Sequence, residues 1–286
     1  MSRKLTPQQA ISRVPSWRQL DVAVEEALSG QTNRSFKLKS GRGRFVLRLD
    51  ADHTRAFGLD RTAERRALAR AFAAGIGPEM IHSDVGLGIL VTRYIAGRTL
   101  TRADLENNAV LETIAERLHT LHGLPALGTG FDIAAVARGY LAALPNGSRM
   151  RNVAEQLVRL IESLRSDAAT SFCHNDIVAA NLIAAGSDTR ELMLIDWEYA
   201  GDNDAFFDLA SLVAYHELDA GPADTLLSAY TGGASATDRE RLDTQIRTYN
   251  ALHWLWLATR ETVTADPGQR EVLARLLAGL LPTERI

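Results

Sequence analysis

His174-Asn175-Asp176-Ile177-Val178-Ala179-Ala180-Asn181, with Leu192-Met193-Leu194-Ile195-Asp196-Trp197-Glu198-Tyr199 soon after it, is the stretch on which the fold turns. An Asp is followed five residues later by an Asn, and fifteen after that by a second Asp. Each stands beside a short apolar run, and the run before Asp196 reads as a strand that delivers its carboxylate rigidly. The three polar groups are the set that phosphoryl transfer from ATP requires. One carboxylate orients and deprotonates a hydroxyl, while an amide and a carboxylate hold magnesium. On this reading Asp176 is the general base, and Asn181 and Asp196 are the Mg²⁺ ligands. His174 braces the loop by hydrogen bonding. Taken alone, each of these residues has a plainer reading as a turn or strand-end group, and the combination is what carries the chemistry.

Upstream of this stretch the pattern predicts a small α+β unit. Apolar spacing at Leu20, Ala23, Val24, Ala27 and Leu28 predicts a helix over 16–28, ended by Gly30. Strands are expected over 35–39 and 45–50, joined by the turn Ser40-Gly41-Arg42-Gly43. A helix follows over about 61–74, with Asp60 as N-cap and Gly75-Ile76-Gly77-Pro78 ending it. Two more strands are expected over 79–82 and 88–94. Beyond Ala96-Gly97-Arg98 the periodicity turns helical, over 107–122, 132–143 and 150–166, and again after the Asp196 stretch to the C-terminus. The division is therefore drawn at 1–95 and 96–286, the first part holding nucleotide and the second carrying catalysis and substrate.

Within the first part, Arg48 ends an apolar strand where a phosphate-contacting cation belongs, and Glu64 on the following helix is its expected ion-pair partner. Gly30-Gln31-Thr32-Asn33-Arg34 is the expected phosphate-covering loop, with Gln31, Thr32 and Asn33 offering donors. The segment 91–95 is the expected hinge, where Tyr94 and Ile95 meet the adenine edge.

The bulk composition limits other readings. The 286 residues are 46% hydrophobic and 23% charged, with a net charge of −3, which describes an ordinary globular protein. That charge supplies no attraction for nucleic acid or an anionic membrane. The one cysteine, Cys173, rules out an intrachain disulfide and a cysteine-rich zinc site, as in a reducing cytosol. The N-terminus carries no signal-peptide pattern, and no apolar segment is long enough to span a bilayer, so a soluble cytoplasmic protein is expected. His119 and His122 lie three apart on one helix and are expected to be buried, hydrogen-bonded residues rather than zinc ligands. Nothing in the sequence sets an oligomeric state.

The chain resembles the choline/ethanolamine kinase family, within a kinase-like group that also holds aminoglycoside phosphotransferases and bacterial thiamine kinase. The residues that carry the likeness are Gln31-Thr32-Asn33-Arg34-Ser35-Phe36, Val46-Leu47-Arg48-Leu49, 174–181, 195–202 and Phe206-Phe207-Asp208-Leu209-Ala210. The resemblance implies a two-lobed, protein-kinase-like α+β fold, in which a small antiparallel-sheet lobe with one main helix precedes a larger, mostly helical lobe. It also implies ATP, Mg²⁺ and phosphorylation of a small alcohol of the choline, ethanolamine or thiamine type. A choline pocket needs aromatic faces and a carboxylate, because a quaternary ammonium donates no hydrogen bond. Tyr199, Tyr215, Trp254, Trp256 and Glu198 are the residues expected to meet substrate, with a second magnesium contact or a structural role equally open for Glu198. Helical geometry allows only one of the two tryptophans to do so, with Tyr249 as a substitute. Thiamine kinase, aminoglycoside phosphotransferase and a nucleotide-binding pseudokinase are the alternatives.

Overall fold

The computed structural model describes residues 5–28, 33–50, 59–165, 168–185, 191–261 and 267–281. Two compact units account for the chain: Met1–Thr99 with Leu182–Glu198, and Leu100–Asn181 with Tyr199–Ile286. The sequence reading draws a single division at 95/96, whereas the packing groups Leu182–Glu198 with the first unit.

The first unit is built on a five-stranded antiparallel sheet. Its strands are β1 (Val22–Leu28), β2 (Arg34–Ser40), β3 (Gly43–Leu49), β4 (Met80–Asp84) and β5 (Ile89–Arg93), in the order β1-β2-β3-β5-β4. Alternation along β3 sends Phe45, Leu47 and Leu49 to one face and Arg48 to the other. The apolar face packs with Leu38, Ile89 and Val91 against Ala10, Val14 and Trp17 from the segment preceding β1. That segment holds the short helix α1 (Pro7–Ile11), and Trp17 lies 5.0 Å from the Phe45 ring.

Helix α2 (Arg61–Ala73) starts where the sequence predicts, with Asp60 Oδ1 accepting from the N–H groups of Thr62 and Ala63. It ends at Gly75, whose φ of 71° is left-handed. A second sheet in this unit joins β6 (Gly97–Thr99), β8 (Leu182–Ala185) and β9 (Leu192–Leu194). The Leu194 N–H donates to the Ile76 carbonyl, which ties β9 to the end of α2.

The helix expected over 16–28 is corrected. Within the described residues, 15–17 form a 3-10 turn and 22–28 form β1, paired antiparallel to β2 with a bulge between Val24 and Glu26. Val22-Ala23-Val24 is β-branched at alternate positions and fits a strand as well as a helical stripe. The open edge of β2 decides between them, which is tertiary context overriding a local pattern.

The second unit is mainly helical. Its helices are α3 (Asn108–His122), α4 (Ile133–Ala143), α5 (Arg149–Ser163), α6 (Phe206–Tyr215), α7 (Ala220–Thr231), α8 (Ala236–Glu261) and α9 (Pro267–Leu280). Helix α3 packs on α7, while α5, α6 and α9 pack on α8. The strands β7 (Thr170–Cys173) and β10 (Gly201–Asp204) pair antiparallel, with Cys173 opposite Gly201. Helix α6 is apolar nearly all round and buried from Phe206 to Val213, so it forms the unit's centre. An antiparallel sheet with one main helix followed by a helical unit makes the class α+β. No helix among the described residues is long and apolar enough to cross a membrane.

Candidate active site

In the first unit, Arg48 meets Glu64 in a paired geometry, with Nη1 donating to Oε1 at 2.5 Å and Nη2 to Oε2 at 2.6 Å. This is the ion pair that strand–helix spacing predicts. Both side chains are buried, Glu64 at 3% exposure. Burial works against Glu64's charge, but the Arg48 and Arg61 guanidiniums outweigh it and hold the carboxyl below its ordinary range. Burial likewise opposes Arg48's charge, and Glu64 outweighs it, so the guanidinium is held more firmly protonated. Arg48 also lies 3.6 Å from Asp50 and 3.5 Å from Asp196. The Asp196 side chain is 40% exposed.

Glu198, one of the residues expected near substrate, is engaged by two side chains of its own unit. It belongs to the first unit and is buried, and its Oε2 accepts from Arg61 Nη1 at 3.0 Å and Asn33 Nδ2 at 2.8 Å. Asn33 therefore contributes a side-chain link to the Asp196 turn. The other loop positions expected to cover phosphate, Gly30, Gln31 and Thr32, lie outside the described residues. At the expected hinge, the Tyr94 N–H donates to the Arg44 carbonyl and the Tyr94 ring lies beneath Lys37 at 4.8 Å. Ile95 follows it, half-buried.

In the second unit, the 174–181 loop leaves β7 and is fixed from below by α6. Asp208, fully buried in the first turn of α6, accepts from the backbone N–H of His174 at 2.9 Å and of Asn175 at 2.6 Å. Asn175 has a left-handed φ of 64°. Its amide is held by the Tyr199 and Gly201 carbonyls and by Asn203 Nδ2, so a strained backbone is pinned on three sides. Further along, the Ile177 N–H donates to Ser211 Oγ, and the Ala179 N–H to His216 Nε2 at 2.9 Å.

Asn181 Nδ2 donates to the Asp176 backbone carbonyl and to Asp176 Oδ2, both at 2.9 Å. Using the amide nitrogen this way fixes the carboxylate's rotation and leaves Asn181 Oδ1 as the oxygen a cation would meet. His174 is fully buried. Burial, followed by Asp208's charge, pushes the adjacent Cys173 thiol well above its usual range.

Behind Asp208 stands a further layer. His122 Nε2 contacts Asp208 Oδ2 at 3.0 Å, and its Nδ1 contacts the Tyr230 hydroxyl at 2.8 Å. Both ring nitrogens are engaged by these contacts. His119, expected to be buried, is exposed and stacks on Tyr230 at 4.5 Å. Sequence reasoning gives no role to Ser211, His216 or Arg61, and Asp208 enters it only as part of the 206–210 likeness. Asp208's signal is a charged residue in the first turn of a mostly apolar helix.

A row of rings runs through the same unit. Tyr215 lies 5.6 Å from His253, which lies 5.8 Å from Tyr249 and 5.9 Å from Trp256. Burial, then the charge of Asp176, raises the Tyr249 phenol well above its usual value. Tyr215 is 39% exposed. Tyr199 is half-buried, edge-on to Phe131. Trp254 points into the core, its Nε1 donating to the Leu273 carbonyl, while Trp256 is half-buried with Arg260 4.7 Å from its ring centroid. Two residues apart on α8, the tryptophans take different sides, as helical geometry requires.

The family model described as "Phosphotransferase enzyme family" matches residues 23–244. Protein LicA of Haemophilus influenzae is 28% identical over 250 residues, covering 82% of this chain and 73% of that one. The solved structure of a choline/ethanolamine kinase family protein from Mesorhizobium loti superposes with a TM-score of 0.73 at 25% identity, covering 94% of this chain and 90% of the other. Choline kinase LicA from Streptococcus pneumoniae shares the fold, with a TM-score of 0.77 at 23% identity over 95% of this chain and 98% of its own.

Proposed function

We propose that this chain, which belongs to the phosphotransferase enzyme family, transfers the γ-phosphoryl group of Mg·ATP to the hydroxyl of a small cationic alcohol in the cytoplasm, choline foremost. Membership makes it an enzyme, a kinase. The observation that carries the substrate reading is the ring row of Tyr215, His253 and Tyr249 in the unit that also holds Asp176. Aromatic faces attract a quaternary ammonium, which donates no hydrogen bond. The names of the related proteins, which include choline kinase and choline/ethanolamine kinase, support the same choice.

In this reading Asp176 accepts the hydroxyl proton as the alcohol oxygen bonds to the γ-phosphorus. The bond from that phosphorus to the bridging oxygen breaks, ADP leaves with the electron pair, and Asp176 later returns its proton to solvent. Holding the carboxylate through Asn181 lets the oxygen be aimed, and orientation supplies much of the rate. Arg48, kept cationic by Glu64, binds phosphate oxygens. The donors fit Mg²⁺: the Asp196 carboxylate is 40% exposed, and Asn181 spends its Nδ2 on Asp176, keeping Oδ1 as a hard oxygen. Asp196 and Asn181 Oδ1 would hold the ion, which when bound neutralises charge on the phosphate oxygens.

The test is ADP release with Mg·ATP against choline, ethanolamine, thiamine and kanamycin, with Asp176→Ala alongside. Turnover on choline or ethanolamine, lost by orders of magnitude in the variant while ADP binding persists, is expected. Turnover on kanamycin alone would overturn the substrate, and an active Asp176→Ala enzyme would overturn the mechanism.

A further inference from the structure

Arg61 occupies a position that helix energetics alone disfavour. It is the first residue of α2, where the positive end of the helix dipole repels a cation. Its side chain is nonetheless 10% exposed and turned into a cluster of carboxylates. Nε donates to Asp50 Oδ2 at 2.9 Å, and Nη1 reaches both Glu64 Oε2 and Glu198 Oε2 at 3.0 Å. Arg48 and Arg61 together are two guanidiniums among four carboxylates, Asp50, Glu64, Asp196 and Glu198. A cluster with this excess of negative charge holds its shape only while each carboxylate is individually gripped.

The residue most in need of a grip is Asp196. Its φ of 64° is left-handed, a conformation that costs an aspartate energy and persists only where its neighbours enforce it. Two anchors follow at once in sequence. Trp197 Nε1 donates to the Leu194 carbonyl at 3.0 Å, and Glu198 is clamped by Arg61 and Asn33. Arg61 is the charged half of the second anchor, and it ties that anchor to α2 and the end of β3.

We propose that Arg61 is a positioning residue: through Glu198 it fixes the turn that presents Asp196, and so sets the enzyme's affinity for the nucleotide-bound metal ion. The inference rests on the Mg·ATP reading above. A lysine cannot replace Arg61, because a single ammonium lacks the planar fork that spans Asp50 and Glu198 together.

The experiment is calorimetric titration of ADP with and without Mg²⁺ into the wild type, Arg61→Lys, Glu198→Gln and the double variant. Arg61→Lys should weaken Mg·ADP binding by about tenfold or more, the loss typical of residues that orient a metal ligand, and leave metal-free ADP binding nearly unchanged. The double variant should be no weaker than Arg61→Lys, since both changes cut one link. Equal loss with and without metal, no loss in either, or losses that add in the double variant would each overturn the proposal. If Arg61→Lys melts below the assay temperature, Glu198→Gln cuts the same link from the other side and is judged by the same criteria. A wild type whose ADP binding ignores Mg²⁺ would sink the Mg·ATP reading itself, and the proposal with it.

Discussion

Replacing Asp208 with Asn tests whether α6 holds the catalytic loop in shape. The carboxylate is fully buried and accepts from two backbone N–H groups, at 2.9 and 2.6 Å, and contacts His122 Nε2 at 3.0 Å. Asparagine keeps the shape but exchanges one acceptor oxygen for an NH₂ group that must face a donor. One buried N–H is then left without a partner, at about 1–3 kcal/mol, and the surviving bonds lose their charge assistance, roughly 1 kcal/mol more. A total near 3 kcal/mol is a sizeable part of an ordinary domain's stability and corresponds to a melting-point fall of about 6–12 °C. The strained Asn175 sits on one of these bonds, so the Asp176 carboxylate should lose its orientation as well. The assay pairs thermal melts with kcat at a temperature where the variant is folded. The expected outcome is a lower Tm together with a kcat lowered at least about tenfold, with ADP affinity unchanged. A variant melting within about 2 °C of wild type at full kcat would refute the brace.

Three further outcomes follow from other contacts. Glu64→Gln leaves Arg48 and Arg61 short of a buried counter-charge, so it should cost about 3 kcal/mol or more in urea unfolding and raise the KM for ATP; an unchanged KM would separate the pair from phosphate binding. Trp254→Ala should cost about 3–5 kcal/mol and leave the choline KM alone, whereas Tyr215→Ala should raise that KM about tenfold at unchanged Tm; the reverse pattern would misplace the pocket. Burial, then Arg102's charge, lowers His216 to about 4, and burial lowers His253 to about 4. Both are neutral in the fold while the unfolded chain takes up protons through about pH 6.5. Stability should therefore be full above that pH and fall toward pH 4, by at most about 1.4 kcal/mol per unit for each group, less for the partly exposed His216. Protonation of Nε2 also removes the acceptor of the Ala179 N–H. Urea titrations at pH 7, 6 and 5 on the wild type and His216→Gln read this out, and identical slopes would refute His216's share.

The elements and the site's chemical character are local properties, and the linear chain carries them. Alternation in Phe45-Val46-Leu47-Arg48-Leu49 determines that Arg48 leaves the apolar face, Asp60 announces the start of α2, and the order Asp176, Asn181, Asp196 specifies donors suited to phosphoryl transfer. Where local signals tie, as in 22–28, the chain is silent, and the open edge of β2 chooses the strand. The same limit explains Glu198. Its spacing from Asp196 suits a substrate contact, yet its partner Arg61 lies 137 residues away in sequence. Asp208 reaches the His174 and Asn175 backbone across 34 and 33 residues, and only the packing of α6 brings it there. Periodicity and turn chemistry act over a few residues, so a sequence can state which groups are present and which way they point from their own element. Which buried charge neutralises which, and how far burial moves a titrating group such as Tyr249, depends on the solvent that folding removes, and that is settled only when distant elements close around it.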